Sequence, residues 1–237
     1  MLKQGFLLYL IDVNNTINMI HPNSIKNIDL FIEDFSKELE KGLPGTLAQQ
    51  KMAPSIRNYC PNENDPDLTR DSSVLILFYQ KGEDLYFPLM KRSLGNHRHS
   101  GQISLPGGKF ELSDKDLIDT AIRETEEEMG LLGNKIHIIG PITGLYIPIS
   151  NFQVQPIVAY YDGVPQFKAD SFEVNQIIET NIEELFKVDN KHEETLHKDK
   201  FEIRTPYYDV KGHKLWGATA MIISELEELL KRASLIK

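Results

Sequence analysis

The chain has 237 residues, is 41% hydrophobic and 26% charged, and carries a formal net charge of −9. This is the composition of a soluble globular protein, one domain with added segments or two small ones, and it excludes disorder and fibrous repeats. The acidic balance argues against general affinity for nucleic acid, which calls for a basic surface. Anionic substrates stay open, because a bound metal or a local basic patch reverses the field nearby. The single cysteine, Cys60, allows no internal disulfide and fits a reducing cytoplasm.

In chain order, the first feature is the apolar run "GFLLYLIDV", Gly5 to Val13. It is far shorter than the ~18 residues that cross a bilayer, and no small-residue cleavage site follows it. A strand, or a start codon assigned upstream of Met19, is the expectation, and no membrane partner is expected. Residues 24–40 carry Ile28, Phe31, Ile32, Phe35 and Leu39 at helical spacing, with Asn23 or Ser24 as the cap. "KGLPG" then breaks the helix, and residues 53–72, rich in Pro, Asn and Asp, read as an extended loop. Residues 1–72 are therefore taken as an N-terminal extension, and 73–232 as the main domain.

"SVLILFYQK" and "DLYFPLMKR" are apolar runs joined around Gly82, a hairpin signal. "GQISL" is a short strand running into a Pro-Gly-Gly turn. A helix is expected from about Lys115 to Met129, capped by Ser113 or Asp114 and ended by Gly130. "KIHIIG", "ITGLYI" and "FQVQPIVAYY" read as strands and "ETNIEELFK" as a short helix. "KFEIR" and "YYDVKGHKLWG" read as a second hairpin, and "ATAMIISELEELLKRA" as a closing helix. This order predicts an α/β fold, a mixed sheet covered by helices.

Within the central helix, Leu117, Ile118, Ala121, Ile122, Thr125 and Met129 share one face and should pack on the sheet. Glu124 stands three residues before Glu127 and four before Glu128, so the three carboxylates can meet at one point. A solvated acidic face is the ordinary reading of such a run. Two features oppose it: the Gly-Gly turn just upstream, and the placing of the acids in the last turns, where the helix dipole disfavours them. A hard divalent cation, Mg²⁺ or Mn²⁺, offsets the repulsion and takes oxygen ligands of this kind.

The stretch "GGKFELSDKDLIDTAIRETEEEMGL" resembles the Nudix box, which ends in Arg-Glu-apolar-x-Glu-Glu-x-Gly-apolar. Arg123, Glu124, Glu127, Glu128, Gly130 and Leu131 match it position by position. The loop from Gly108 to Arg123 is one residue longer than the common form, and Thr125 replaces the usual aliphatic residue. The spaced acidic position is Glu111 or Asp114, with Asp114 preferred. Upstream, "KRSLGNHRHSGQISLPGGK" is similar to a segment of the coenzyme A diphosphatase branch through Arg92, Ser93, Gly101, Gln102, Pro106, Gly107 and Gly108. His97 stands where that branch has Arg, and Leu105 where it has Phe. The resemblance spans roughly residues 38 to 232.

The resemblance implies a Nudix-type α/β/α sandwich with a mixed sheet, and metal-dependent hydrolysis of a nucleoside diphosphate linked to another group. Glu124, Glu127, Glu128 and the Gly108 carbonyl would hold the metals. Arg123 would fix the loop to the helix through an acidic side chain. Glu127 is one candidate base; Glu173, Glu179 and Glu183 are others, unranked. Arg92, His97, Arg98, His99 and Lys109 form a basic cluster in an acidic chain, suited to the phosphates of coenzyme A, or else paired with surface carboxylates. The expected products are 3′,5′-ADP and 4′-phosphopantetheine. The nearest alternative substrate is another nucleoside diphosphate derivative such as ADP-ribose; an inactive nucleotide-binding module is a further one, disfavoured because all three box glutamates are present. A homodimer is common in the family and is expected here.

Overall fold

The computed structural model describes residues 28–55, 69–95, 100–198 and 201–236. The Gly5–Val13 run, the Asn23 or Ser24 cap, Cys60, His97, Arg98 and His99 lie outside them.

Helices α1 (Ile28–Glu40) and α2 (Thr46–Gln50) precede the hairpin of β1 (Arg70–Lys81) and β2 (Asp84–Arg92). Two short strands follow, β3 (Ile103–Ser104) and β4 (Gly107–Lys109), then helix α3 (Leu117–Met129). Strands β5 (Ile136–Pro141), β6 (Leu145–Ile147), β7 (Phe152–Tyr161) and β8 (Val174–Asn181) lead to the one-turn helix α4 (Ile182–Leu185). Strands β9 (Lys191–Lys198), β10 (Phe201–Val210) and β11 (His213–Trp216) and helix α5 (Gly217–Arg232) complete the chain.

The main sheet has eight strands along the path β3-β2-β1-β7-β5, with β4 on β1, β6 on β7 and β8 on β2. The β1–β7 pair is parallel and the other pairs antiparallel, so the sheet is mixed. Strand β1 shows why it sits centrally. Its residues alternate between the two faces, and both faces are covered, so the run is apolar throughout. Leu75, Leu77 and Tyr79 join Ala121 and Met129 of α3 in one core. Ile76 and Phe78 join Phe31 and Phe35 of α1 and Ile222, Leu226 and Leu229 of α5 in the other. Helices on both faces make an α/β/α sandwich. Strands β9–β11 form a separate three-stranded antiparallel sheet.

Residues 28–55 share that second core. The Phe31 and Phe35 rings meet Phe78 edge-on at 4.8 and 6.2 Å. The buried Glu225 carboxylate of α5 accepts from the Gly45 amide at 3.1 Å, Gln49 Nε2 at 2.9 Å and Thr143 Oγ1 at 2.6 Å.

Several boundaries differ from the sequence reading. Helix α3 starts at Leu117, and its cap is Asp116, which accepts from the Ile118 and Asp119 amides. Ser113 and Asp114 are not the cap, because Asp114 is drawn to Arg123 instead. The stretch Glu179–Asn181 is the end of β8, not the start of a helix. "FEIR" and "YYDV" lie in one continuous strand, β10, which shares a hairpin with β9 as well as with β11, and Lys200 lies outside the described residues. Among the described residues no helix is long and apolar enough to cross a membrane.

Candidate active site

The site is built where β4 runs beneath α3. Strand β4 pairs antiparallel with β1, setting Gly108 opposite Ser73 and Gly107 opposite Val74. The approach is so close that a Cβ on Gly107, which has φ 145°, would lie 2.2 Å from the Ser73 carbonyl oxygen. A Cβ on Gly108 would lie 2.3 Å from Glu124 Oε1. The two glycines therefore lay bare backbone against the carboxylates of α3.

Glu128 is 2% exposed and reaches this turn, its Oε2 accepting from the Gly107 amide at 2.8 Å. Its other oxygen, Oε1, is buried without a partner. Burial pushes the Glu128 carboxyl up to about 8. Burial also raises Glu124, against the pull of Arg123. Strongly shifted groups of this kind gather at functional sites, as they also do in structural ion networks.

Arg123 organises the helix's outer side. Its Nε and Nη2 donate to the two Asp114 oxygens at 2.7 and 3.0 Å, a bidentate pair. Nη2 also donates to the Lys109 carbonyl at 3.1 Å, and Nη1 donates to Glu124 at 2.9 Å and Glu127 at 3.1 Å. The guanidinium, helped by the Glu111 amide and the Thr120 hydroxyl, holds the Asp114 carboxyl well below the usual range. One cation thus ties the loop after β4 to the helix through Asp114, the spaced acid preferred from sequence.

Two more groups face the glutamates. Arg92, at the end of β2, is half-buried, and its positive charge acts on Glu128. Glu173, in the turn before β8, acts with its negative charge on both Glu124 and Glu128. The turn is anchored to the helix itself: the Asp170 amide donates to the Glu128 carbonyl at 3.0 Å and the Lys168 amide to the Met129 carbonyl at 2.8 Å. Sequence spacing gave no means of finding this anchor, because Asp170 lies forty-two residues beyond Glu128.

Glu124 and Glu127 share the Arg123 guanidinium, Nη1 donating to both, while Glu128 turns to the Gly107 amide. Glu127 keeps a 60% exposed side chain paired with Arg123, whereas the Glu124 side chain is 15% exposed. Among the described residues no three His, Cys, Asp or Glu side chains form a group able to hold a metal ion. Lys109 is exposed, with its carbonyl taken by Arg123. Of the remaining candidate bases, Glu179 is committed to the Tyr79 hydroxyl and Lys81. Glu183 lies exposed on α4, past the eight-residue length of β8, about 25 Å from Glu173 along the strand.

A family profile described as "NUDIX domain" matches residues 69–201. The chain belongs to the Nudix hydrolase family. It is 30% identical over 159 residues to "Uncharacterized Nudix hydrolase NudL" of Yersinia pestis (strain Pestoides F), covering 67% of this chain and 79% of that one. The same figures hold for the protein of that name from Yersinia pseudotuberculosis serotype O:1b. Among solved structures it is similar to the NUDIX domain of Shewanella oneidensis NrtR complexed with ADP ribose, at TM-score 0.47 and 16% identity, over 73% of this chain and 94% of that one. A MutT/nudix family protein from Enterococcus faecalis gives TM-score 0.47 and 16% identity, over 84% and 74%.

Nudix hydrolases use divalent metal ions, and the residues present fit one. The buried, unpartnered Glu128 Oε1, the Glu124 carboxylate and the bare Gly107–Gly108 backbone make an all-oxygen donor set. Hard cations take such ligands, while sulfur- and imidazole-seeking metals do not favour them.

Proposed function

We propose that this Nudix hydrolase cleaves the diphosphate of coenzyme A, and of its acyl thioesters, to 3′,5′-ADP and 4′-phosphopantetheine. The observation that carries the diphosphate chemistry is the pairing of Glu124 with the partly orphaned Glu128 against the Gly107–Gly108 turn. Glu124, Glu128, the Gly108 carbonyl and, once released from Arg123, Glu127 would hold Mg²⁺ or Mn²⁺. A divalent ion there lowers the pKa of water and masks the charge of the diphosphate.

The chain's own groups do the rest. Arg123 is a positioning residue, holding Glu124 and Glu127 on one side and Asp114 and the Lys109 carbonyl on the other. Arg92 supplies positive charge beside Glu128 for a phosphate oxygen. Glu173, whose negative charge acts on both Glu124 and Glu128, is the carboxylate assigned to take the proton of the attacking water, Glu127 being assigned to the metal. The choice of coenzyme A rests on the likeness of Lys91 to Lys109 to the coenzyme A diphosphatase branch, with His97, Arg98 and Lys109 as further phosphate-binding candidates.

Chromatographic product analysis tests this reading. Purified protein with Mg²⁺ or Mn²⁺ should release 3′,5′-ADP from coenzyme A, and Glu124→Gln should abolish it. Turnover of ADP-ribose with none of coenzyme A would keep the reaction class and overturn the substrate.

A further inference from the structure

The carboxylates and cations described above account for a diphosphate, but not for the groups attached to it. Two large apolar side chains stand in the open on the loops that carry Arg92 and Glu173. Phe172 is 89% exposed and Leu94 is 79% exposed. Each flanks a residue of the site: Phe172 precedes Glu173, and Leu94 is two residues beyond Arg92. Their loops are joined, the Ser93 amide donating to the Glu173 carbonyl at 2.9 Å and the Ser93 hydroxyl to the Ser171 carbonyl at 3.4 Å.

Neither loop is loose at this point. Asp170 Oδ1 accepts from the Phe172 amide at 2.9 Å, and the Asp170 carbonyl accepts from Glu173 and Val174 at 3.2 and 2.8 Å. The same residue's amide donates to the Glu128 carbonyl. Phe172 is thereby carried on a rigid turn bonded to the backbone of Glu128. On the other side, Leu94 Cδ2 lies 3.1 Å from where a Cβ of Gly101 would be, so a side chain at 101 would displace it. A single exposed apolar residue is ordinary; here two are carried on loops hydrogen-bonded to one another, each close in sequence to a charged residue of the site.

We propose that Phe172, with Leu94 beside it, is the subsite for the nucleobase of the substrate, the base lying on the Phe172 ring while its diphosphate reaches Glu124 and Glu128. A planar base with a π-face is the ligand that an exposed phenyl ring on a fixed backbone suits, and stacking of this kind is worth about 1–3 kcal/mol per base. The subsite rests on the reaction proposed above for its diphosphate.

The test is calorimetric binding of ADP and of inorganic pyrophosphate in Mg²⁺, with wild type, Phe172→Ala, Phe172→Trp and Leu94→Ala. Phe172→Ala should weaken ADP by about 5- to 100-fold, following from the stacking energy, and leave pyrophosphate unchanged. Phe172→Trp should retain ADP binding, and Leu94→Ala should show a smaller loss of the same kind. Equal binding of ADP by wild type and Phe172→Ala, or equal loss of ADP and pyrophosphate, would overturn the subsite. Base-dependent binding without hydrolysis of any nucleoside diphosphate derivative would uphold the subsite and sink the proposed reaction. The exposure of both side chains means that melting temperatures should not move, which separates a binding effect from misfolding.

Discussion

The Gly107 amide and the Glu128 carboxylate are joined by a 2.8 Å hydrogen bond across twenty-one residues of chain. The bond satisfies one oxygen of a buried acid and leaves the other bare. A buried carboxylate that is only half satisfied is a cost to the fold. Its place between a glycine turn and a second acid is what gives that cost a purpose.

Glu128 is raised above its unfolded value, to about 8, by burial. The folded protein therefore holds this proton more tightly than the unfolded chain. In metal-free protein the site's penalty is absent below the ordinary glutamate range and grows as pH rises toward 8. Glu128→Gln should thus be neutral to stability at pH 5 and stabilising at pH 9, while hydrolysis is lost. Urea melts in chelator at the two pH values check it; a variant less stable than wild type at pH 9 would contradict it.

Asp114 behaves in the opposite sense. Its pairing with Arg123 lowers it, so its contribution is present above the unfolded value and fades as pH falls below the usual carboxylate range. Asp114→Asn should lower metal affinity or turnover by about 10–100-fold, the usual effect of removing a support behind a ligand. Its stability deficit should be evident at pH 7 and shrink at pH 3, as read by denaturant melts.

Glu173 is the residue on which the proton transfer is placed. Glu173→Gln should reduce kcat by about 10²- to 10⁴-fold, with KM little changed. An unchanged kcat would return the role to Glu127.

The amino-terminal helices should prove indispensable to the fold. Phe35 is wholly buried against Phe78, so Phe35→Ala should cost about 3–5 kcal/mol in denaturant melts. Glu225→Ala leaves the Gly45 amide and Gln49 amide without their acceptor and should cost several kcal/mol, by the same measurement.

Much of this was readable from residues alone, for definite reasons. Strands β1, β2 and β7 announce themselves because burial on both faces makes them continuously apolar. Helix α3 does so through its apolar stripe and Gly130. Strands β8 and β9 did not, because β9 is charged and largely exposed over 191–197 and β8 alternates too weakly among Asn, Gln, Glu and Thr. The glutamate spacing puts three acids within two turns without saying which of them is buried. At 3.6 residues per turn, neighbours on a helix point about 100° apart. That rotation turns Glu128 into the sheet and Glu127 out to Arg123, and only the packed sheet decides which is which. The Asp170 anchor and the placing of Glu173 depend on a turn folding back on the helix end, which no local pattern records.

The most direct test of the central claim is a Mn²⁺ titration followed by electron paramagnetic resonance, with wild type, Glu124→Gln, Glu128→Gln and, as a control outside the site, Glu183→Gln. Wild type and Glu183→Gln should bind Mn²⁺ alike, and both site variants should lose it, with Mg²⁺ competing for the same site. Mn²⁺ binding by Glu124→Gln and Glu128→Gln equal to wild type would contradict the assignment of these glutamates to a metal-held diphosphate.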